Sequence, residues 1–217
     1  MVVVGLTGGI GAGKSTVAGM LLDRGAKLVD ADQVAREVVE PEGPAYQPLV
    51  DRFGTAILDD EGRIDRPRLA AAAFGDPESL ADLNAITHPA IGVEMIARRD
   101  RYATPGAVVV MDIPLLRAEH RDLLSLAAVI VVDAPPEVAL RRLVEQRAMS
   151  EEDARARMAA QPTREDRLEG ADFVIDNTGD TAHLAGEVER LWAHLAELAA
   201  AEVPDPAGGS TVPAPRG

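Results

Sequence analysis

The sequence has no cysteine and few aromatic residues. Of its 217 residues, 3% are aromatic and 47% are apolar. The lack of cysteine excludes disulfides and thiolate metal sites, which is compatible with a reducing compartment. The scarcity of aromatic side chains leaves Val, Leu, Ile and Ala to fill the core. We expect one globular domain with a substantial aliphatic core and a small inserted subdomain.

Long apolar runs and an N-terminal leader are also missing. No run approaches the roughly 20 apolar residues that span a bilayer, and the N-terminus shows neither a basic leader nor a cleavage site. We expect a cytoplasmic protein.

The sequence has fewer basic than acidic residues. It contains 22 Lys and Arg and 36 Asp and Glu, which gives a net charge of −14. An acidic surface disfavours nonspecific binding to nucleic acid or anionic lipid. We therefore expect no nucleic-acid or membrane partner, and no pattern indicates an obligatory protein partner. Anionic substrates require local arginine clusters. Each of the two clusters is alternatively a solvated helix face; they are Arg98, Arg99 and Arg101, and Arg141, Arg142, Arg147, Arg155 and Arg157.

Residues 8–15 read Gly-Gly-Ile-Gly-Ala-Gly-Lys-Ser and fit the phosphate-loop pattern G-x-x-x-x-G-K-[ST]. An apolar strand-like run precedes them and a helical pattern follows from Ser15 to about Leu22. Glycines let backbone N–H groups approach phosphate oxygens, and the helix N-terminus favours the same anion. Lys14 is placed to reach the β- and γ-phosphates and Ser15 to bind Mg²⁺. The alternative, a glycine-rich turn with an exposed lysine, does not account for the order of strand, loop and helix.

Five short apolar runs alternate with helical patterns, which predicts an α/β fold with a parallel sheet. The predicted strands are 2–6, 26–29, 107–111, 128–132 and 172–175. Between the second and third strands, a crossover needs far less chain than is present. We predict an inserted helical acceptor-binding subdomain at about 41–104, within a domain at 1–203 whose core is 1–40 and 105–203. A lid is predicted at about 141–161 and a disordered tail at 204–217.

Acidic residues follow the predicted strands at the edge where α/β proteins bind ligands. Asp112 ends a buried strand, where P-loop proteins hold Mg²⁺, or else it caps the next turn. Asp30 and Asp32 follow the second strand; we expect one of them to cap a helix and the other to be available to deprotonate a hydroxyl. His88, before Pro89, reads by itself as a loop histidine. Ser150 is predicted to open a new helix at about Glu151.

Together these stretches resemble the dephospho-CoA kinase family over residues 2 to about 195. The resemblance rests on several short motifs in the same order: Gly5 to Thr16; Asp30, Asp32, Ala35 and Arg36; Phe53, Gly54, Ile57, Leu58, Gly62, Ile64, Asp65 and Arg66; Leu83, Asn84, Ile86, His88 and Pro89; Asp112 to Leu116; Arg142, Leu143 and Arg147; Ala156, Arg157 and Gln161; and Ala171, Asp172, Ile175, Asp176 and Asn177.

The resemblance implies a P-loop NTPase-type three-layer fold and transfer of the ATP γ-phosphate to the ribose 3′-hydroxyl of dephospho-CoA, with Mg²⁺ as cofactor. Asp32, Lys14 and Arg142 would be catalytic, and Ser15 and Asp112 would bind the metal. The implied ATP-binding residues are Gly11, Ala12, Gly13, Lys14, Ser15, Thr16, Arg142 and Arg147. The implied acceptor-binding residues are Thr7, Asp32, Arg66, His88, Leu115 and Leu116.

One departure and two alternatives remain. After Pro-Leu-Leu the family usually has an aromatic residue and then Glu, whereas Arg117 and Ala118 stand here and Glu119 comes one residue late. Another small-molecule P-loop kinase would have the same donor site with a different acceptor pocket. A GTPase-type switch is the other alternative. Asp59-x-x-Gly62 mimics one switch motif, but it lies in the predicted insertion, and Asn177-Thr178-Gly179-Asp180 lacks the lysine of the guanine-specifying motif.

Overall fold

A five-stranded parallel sheet lies at the centre of the protein. This computed structural model describes residues 1–201, so the predicted tail at 204–217 lies outside the described residues. The strands are β1 (Val2–Gly8), β2 (Lys27–Asp30), β3 (Val108–Asp112), β4 (Ala128–Asp133) and β5 (Phe173–Asp176). Their order is β2-β3-β1-β4-β5, and all neighbours are parallel. The predicted α/β class and its five strands are confirmed.

Ten α-helices and one short 3-10 helix (Thr55–Ile57) connect or follow the strands within residues 1–201. They are α1 (Lys14–Asp23), α2 (Ala31–Glu37), α3 (Tyr46–Phe53), α4 (Arg66–Phe74), α5 (Pro77–Arg101), α6 (Ala118–Leu123), α7 (Pro136–Arg147), α8 (Glu151–Ala159), α9 (Arg164–Glu169) and α10 (Thr181–Ala201). None of the helices in this part of the chain combines the length and the apolarity needed to cross a membrane.

Alternate residues of β1 face opposite sides of the sheet, as the strand repeat requires. Val2, Val4 and Leu6 join a buried cluster with α1 and α10. Val3 joins a second cluster on the other face, together with residues of α2 to α5. β1, β3 and β4 are buried at every residue, as strands covered on both faces should be. The sheet is therefore the middle of three layers.

The stretch predicted as an insertion packs directly on the sheet. Leu49, Ile57, Leu69 and Met95, from its helices, share one buried cluster with strand residues such as Val109. Residues 41–104 thus have no separate core, and α5 itself leads the chain back to β3. Whether this stretch binds the acceptor stays a prediction.

The helix α5 is continuous from Pro77 to Arg101, whereas the sequence indicated that His88 lies in a loop. Pro89 lies inside α5 and removes one backbone donor. The helix persists because apolar residues on both sides of the proline pack against the sheet cluster; these are Leu83, Ile86, Ala90, Ile91 and Ile96. Tertiary packing outweighs the local cost of proline here, so the expectation of a loop histidine is wrong.

The helix break predicted near residues 148–150 is confirmed. α7 ends at Arg147, and Ala148 takes a left-handed conformation with φ 50°. The Ser150 side chain accepts a hydrogen bond from Asp153 N and caps α8. Gln161 lies in the short connection between α8 and α9. The Thr163 side chain caps α9 in a reciprocal pair with Asp166.

Candidate active site

The phosphate loop has the predicted context, because Gly8 ends β1 and Lys14 begins α1. Gly11 (φ 79°) and Gly13 (φ 96°) are left-handed, where a side chain is strained. Gly13 is also crowded, since a Cβ there would collide with the Asn177 side-chain amide. Only glycine fits both conditions. The loop therefore curls at the N-terminus of α1, where the helix dipole favours an anion.

Asn177 connects the end of β5 to this loop. Its Nδ2 donates a hydrogen bond of 2.7 Å to Ala12 O, and its own backbone O accepts one of 2.9 Å from Arg142 Nη2. The Arg142 Nη1 atom is buried and has no hydrogen-bond partner within residues 1–201. A cleft of about 410 Å³ lies here. Its lining includes six of the predicted ATP-binding residues: Gly11, Gly13, Ser15, Thr16, Arg142 and Arg147.

Lys14 and Asp112 form an ion pair at the ends of α1 and β3. Burial raises the pKa of the Asp112 carboxyl, and the negative charges of Asp30 and Asp32 raise it further, while Lys14 lowers it. The shift is upward, so burial outweighs the lysine. One lysine and the carboxylates of Asp30, Asp32 and Asp112 therefore lie at the same edge of the sheet. Asp30 and Asp112 are register partners there.

Asp30 and Asp32 divide the two roles expected of them. The Asp30 carboxylate caps α2 by accepting hydrogen bonds from Asp32 N (2.8 Å) and Gln33 N (3.1 Å). The Asp32 side chain is exposed on the first turn of α2. Across residues 1–201, no hydrogen bond or ion pair engages its carboxylate. Asp32 is therefore the carboxylate available to accept a proton.

Substitution of the capping residue tests this division. In Asp30→Ala, two N–H groups of α2 lose their acceptor, which should lower the free energy of unfolding by about 1 kcal/mol. For a protein of this size that is about 2–4 °C in Tm, to be measured by calorimetry. Asp23→Ala, at the exposed end of α1, is the control. An unchanged Tm in Asp30→Ala would contradict the capping role.

Three predicted acceptor-binding residues lie together. Thr7 is buried and donates a hydrogen bond of 3.1 Å from Oγ1 to Pro114 O. Leu115 is exposed and Leu116 is half-buried. All three line one narrow cleft with Gln161 and Arg167. The structure thus supplies an apolar wall immediately beside the phosphate loop.

Arg66 and His88 lie apart from that cleft. Arg66 begins α4, and its Nη2 donates a 3.3 Å hydrogen bond to Arg36 O at the end of α2. His88 is exposed on α5, close enough to His120 of α6 to lower the pKa of that histidine, which burial lowers most. Neither residue lines the cleft with Thr7 or the one with Arg142. Their predicted contact with the acceptor remains untested.

The structure brings three further side chains to the phosphate loop. Gln161 Oε1 accepts a 2.8 Å hydrogen bond from Ile10 N. Arg164 binds Asp133 at the end of β4, and Arg167 lies against Gly9. The sequence motif that contains Gln161 predicts no role for it, and no sequence pattern singles out Arg164 or Arg167. The signal available in the sequence was the capping pattern Thr163 to Asp166, which predicts a helix just after Gln161.

The switch-like motif has a structural explanation. Asp59 and Gly62 form a tight turn that ends in a bridge between Leu58 and Ile64. The Asp59 carboxylate accepts hydrogen bonds from the backbone N–H groups of Glu61 and Arg63. This aspartate stabilises a turn of the α3–α4 connection.

The parallel sheet, the strand–loop–helix at Gly8 to Ser15 and the Lys14–Asp112 pair define a P-loop kinase. A family model described as CoaE, dephospho-CoA kinase, matches residues 2–183. The chain belongs to the dephospho-CoA kinase family.

Individual relatives agree with this. A dephospho-CoA kinase of Streptomyces avermitilis is 50% identical over 199 residues, which cover 92% of this chain and 96% of the relative. A dephospho-CoA kinase of Thermobifida fusca is 46% identical over 195 residues, which cover 90% of this chain and 96% of the relative. Among solved structures, TT1252 from Thermus thermophilus has a TM-score of 0.75 and 34% identity, covering 91% of this chain and 97% of its own. Dephospho-CoA kinase from Campylobacter jejuni has a TM-score of 0.69 and 26% identity, and the match covers 90% of this chain and 97% of that structure.

Proposed function

We propose that this protein transfers the γ-phosphate of ATP to the ribose 3′-hydroxyl of dephospho-CoA, which gives coenzyme A in the final step of its synthesis. The observation that carries the proposal is the order of groups along one sheet edge. The exposed Asp32 follows β2, Asp112 ends β3 and pairs with Lys14, and the phosphate loop follows β1. A proton acceptor, a cation for phosphate and a phosphate cradle thus lie side by side.

On the donor side, backbone N–H groups of the loop would bind the phosphates and Lys14 would reach the β- and γ-phosphates. Lys14 pairs with Asp112 in this structure, and since an ammonium has three N–H donors, the lysine can keep this partner while it also binds phosphate oxygens. Arg142 and Arg147 would neutralise further phosphate charge from the other wall of their cleft. These assignments, like the closing of residues 141–161 over ATP, are part of the proposal.

The residues present fit a Mg²⁺ ion. Within residues 1–201, no group of three or more His, Cys, Asp or Glu side chains is arranged to hold a metal. Mg²⁺ bound with a nucleotide typically needs only one or two protein oxygens, the remaining ligands being phosphates and water. Ser15 and Asp112 supply a hydroxyl and a carboxylate of this kind. When bound, the ion would neutralise negative charge on the β- and γ-phosphates.

The chemical step needs one proton transfer and one displacement. The proton of the 3′-hydroxyl passes to the Asp32 carboxylate, and the hydroxyl oxygen forms a bond to the γ-phosphorus. The bond from that phosphorus to the β–γ bridging oxygen breaks, and ADP leaves with the electron pair. Such a transfer asks the protein mainly for positioning and charge stabilisation.

For the acceptor, we propose contacts with Thr7, Leu115 and Leu116 in the narrow cleft. We also propose contacts with Arg66 at the start of α4 and with His88 on α5. Closure of the lid would exclude water, which competes as a phosphoryl acceptor. The cytoplasmic location and the absence of nucleic-acid, membrane and obligatory protein partners stay predictions.

The test is mass spectrometry of a reaction that contains the purified protein, Mg·ATP and dephospho-CoA. We expect a product heavier by one phosphoryl group that co-elutes with authentic coenzyme A. If folded protein that binds ATP leaves dephospho-CoA unchanged but phosphorylates a nucleoside or sugar in a parallel panel, the acceptor is wrong and the alternative of another small-molecule kinase holds.

A further inference from the structure

Two arginines of α9 lie at the phosphate-loop edge of the sheet, and they differ in their partners. Arg164 donates from Nε and Nη2 to both carboxylate oxygens of Asp133, at 2.6–3.1 Å. Hydrogen bonding to Asp133 raises the pKa of Arg164. Its charge is therefore neutralised by a carboxylate, and its fork holds α9 against the end of β4.

Arg167 keeps its charge without a carboxylate partner. Within residues 1–201 it forms no ion pair, and its Nη1 donates to the backbone O of Pro162. The side chain is half-buried, and burial lowers the pKa of Arg167 from its usual value. A guanidinium remains protonated in proteins despite such a shift. The negative charges of Asp133, Glu165 and Asp166 act on Arg167 from a distance, but in the described part of the chain no carboxylate occupies its hydrogen-bond donors, which suits the guanidinium to bind an anionic ligand.

The guanidinium of Arg167 rests on the phosphate loop. A Cβ on Gly9 would lie 2.8 Å from Arg167 Nη2 and 3.2 Å from its Cζ. Gly9 therefore leaves the space that this side chain fills. The neighbouring N–H of Ile10 is held by Gln161, which fixes the α8–α9 connection to the loop from the same side.

The position of Arg167 separates it from the arginines of α7. Arg142 and Arg147 line the cleft beside Gly11, Gly13 and Ser15, and the lining of that cleft includes neither Gly9 nor Thr7. Arg167 lies at Gly9 and also borders the cleft of Thr7, Leu115 and Leu116. It is thus located between the phosphate loop and the residues proposed to bind the acceptor, which is where the proposed function would place the transferred group.

We propose that Arg167 is a further catalytic residue, which contacts the oxygens of the γ-phosphoryl group during its transfer. The inference rests on the proposed function. The guanidinium forms and breaks no covalent bond. It donates hydrogen bonds to phosphoryl oxygens whose negative charge must be stabilised in the transition state.

Steady-state kinetics and nucleotide binding test the proposal with Arg167→Gln and Arg167→Lys. The control is Arg190→Gln, an exposed arginine of α10 that pairs with Glu187. We expect kcat to fall about 100-fold in Arg167→Gln, with partial recovery in Arg167→Lys. Calorimetric titration should show about tenfold weaker binding of the Mg²⁺ complex of the β,γ-imido analogue of ATP, because a charged hydrogen bond to the γ-phosphate is lost. Binding of Mg·ADP should stay within about twofold.

Gly9→Ala provides a second, independent change. The added methyl group displaces the Arg167 guanidinium while the arginine remains in the sequence. We expect the same pattern, with lower kcat and weaker binding of the imido analogue but normal Mg·ADP affinity. This variant decides the question if Arg167→Gln does not fold.

The remaining outcomes overturn the proposal. A kcat within about threefold of wild type excludes a catalytic contact. Equal losses for Mg·ADP and the imido analogue, together with a lower Tm, indicate that Arg167 only supports the loop. Failure of the proposed function is a separate result. In that case wild type leaves dephospho-CoA unchanged, while the two nucleotide affinities still report whether Arg167 contacts a γ-phosphate.

Discussion

Lys14→Ala should lower kcat by about 10³-fold, since it removes the one cation that the phosphate-loop pattern directs at the transferred phosphate. Turnover of dephospho-CoA under saturating Mg·ATP is the measurement. Lys27→Ala is a well-matched control, because Lys27 is the only other lysine of the chain and is exposed at the start of β2. A kcat for Lys14→Ala within tenfold of wild type would contradict the assignment of Lys14 to the transferred phosphate.

The same substitution should also affect stability in a pH-dependent way. Burial already raises the pKa of Asp112 above its usual 3.8, so the folded protein binds this proton more tightly than the unfolded chain. Stability is therefore lost as pH rises through the folded-state pKa. Without Lys14 that pKa rises further. The pH range over which stability is lost, which begins at about pH 4, therefore becomes wider.

Calorimetry across pH tests this argument. At pH 8, Lys14→Ala should be less stable than wild type by about 1–3 kcal/mol, since a buried carboxylate loses its partner. The difference should shrink as the pH falls, because protonation of Asp112 removes the buried negative charge. The double variant Lys14→Ala, Asp112→Asn should recover the Tm at pH 8 but not the activity. A pH-independent deficit would show that the buried charge is not its cause.

Asp32→Asn should lower kcat by about 10²–10⁴-fold while nucleotide binding stays near that of wild type. The amide matches the carboxylate in size but cannot accept the hydroxyl proton. Because Asp30 rather than Asp32 caps α2, the helix should be unaffected and the Tm should stay within about 1 °C of wild type. The measurements are kcat with dephospho-CoA, calorimetric binding of Mg·ADP and a thermal scan.

Two comparisons make the Asp32 result specific. Asp23→Asn changes an exposed aspartate at the end of α1 and should leave kcat unchanged. Asp30→Asn keeps an oxygen that can cap α2, so it should retain far more activity than Asp32→Asn. If Asp32→Asn turns over at the wild-type rate, Asp32 is not the proton acceptor, and the proposal for the catalytic step fails.

Local features explain where sequence reasoning succeeded. The ends of β3 and β4 follow from continuous apolar runs, and the starts of α2 and α8 follow from capping side chains such as Asp30 and Ser150. Each of these signals depends on residues within a few positions of one another. Where the local signal opposed the packing, as at Pro89 in α5, the sequence-based expectation was wrong.

The sequence by itself determined the phosphate loop and the order of strands and helices, because the glycines, Lys14 and Ser15 act within eight consecutive residues and hydrophobic periodicity is a local property. Only the tertiary structure decided which distant groups meet. It pairs Lys14 with Asp112, leaves Asp32 exposed and sets the Arg167 guanidinium on Gly9. The reason is that such contacts depend on the strand order β2-β3-β1-β4-β5 and on how α9 packs beside β4, and no short stretch of sequence contains that information.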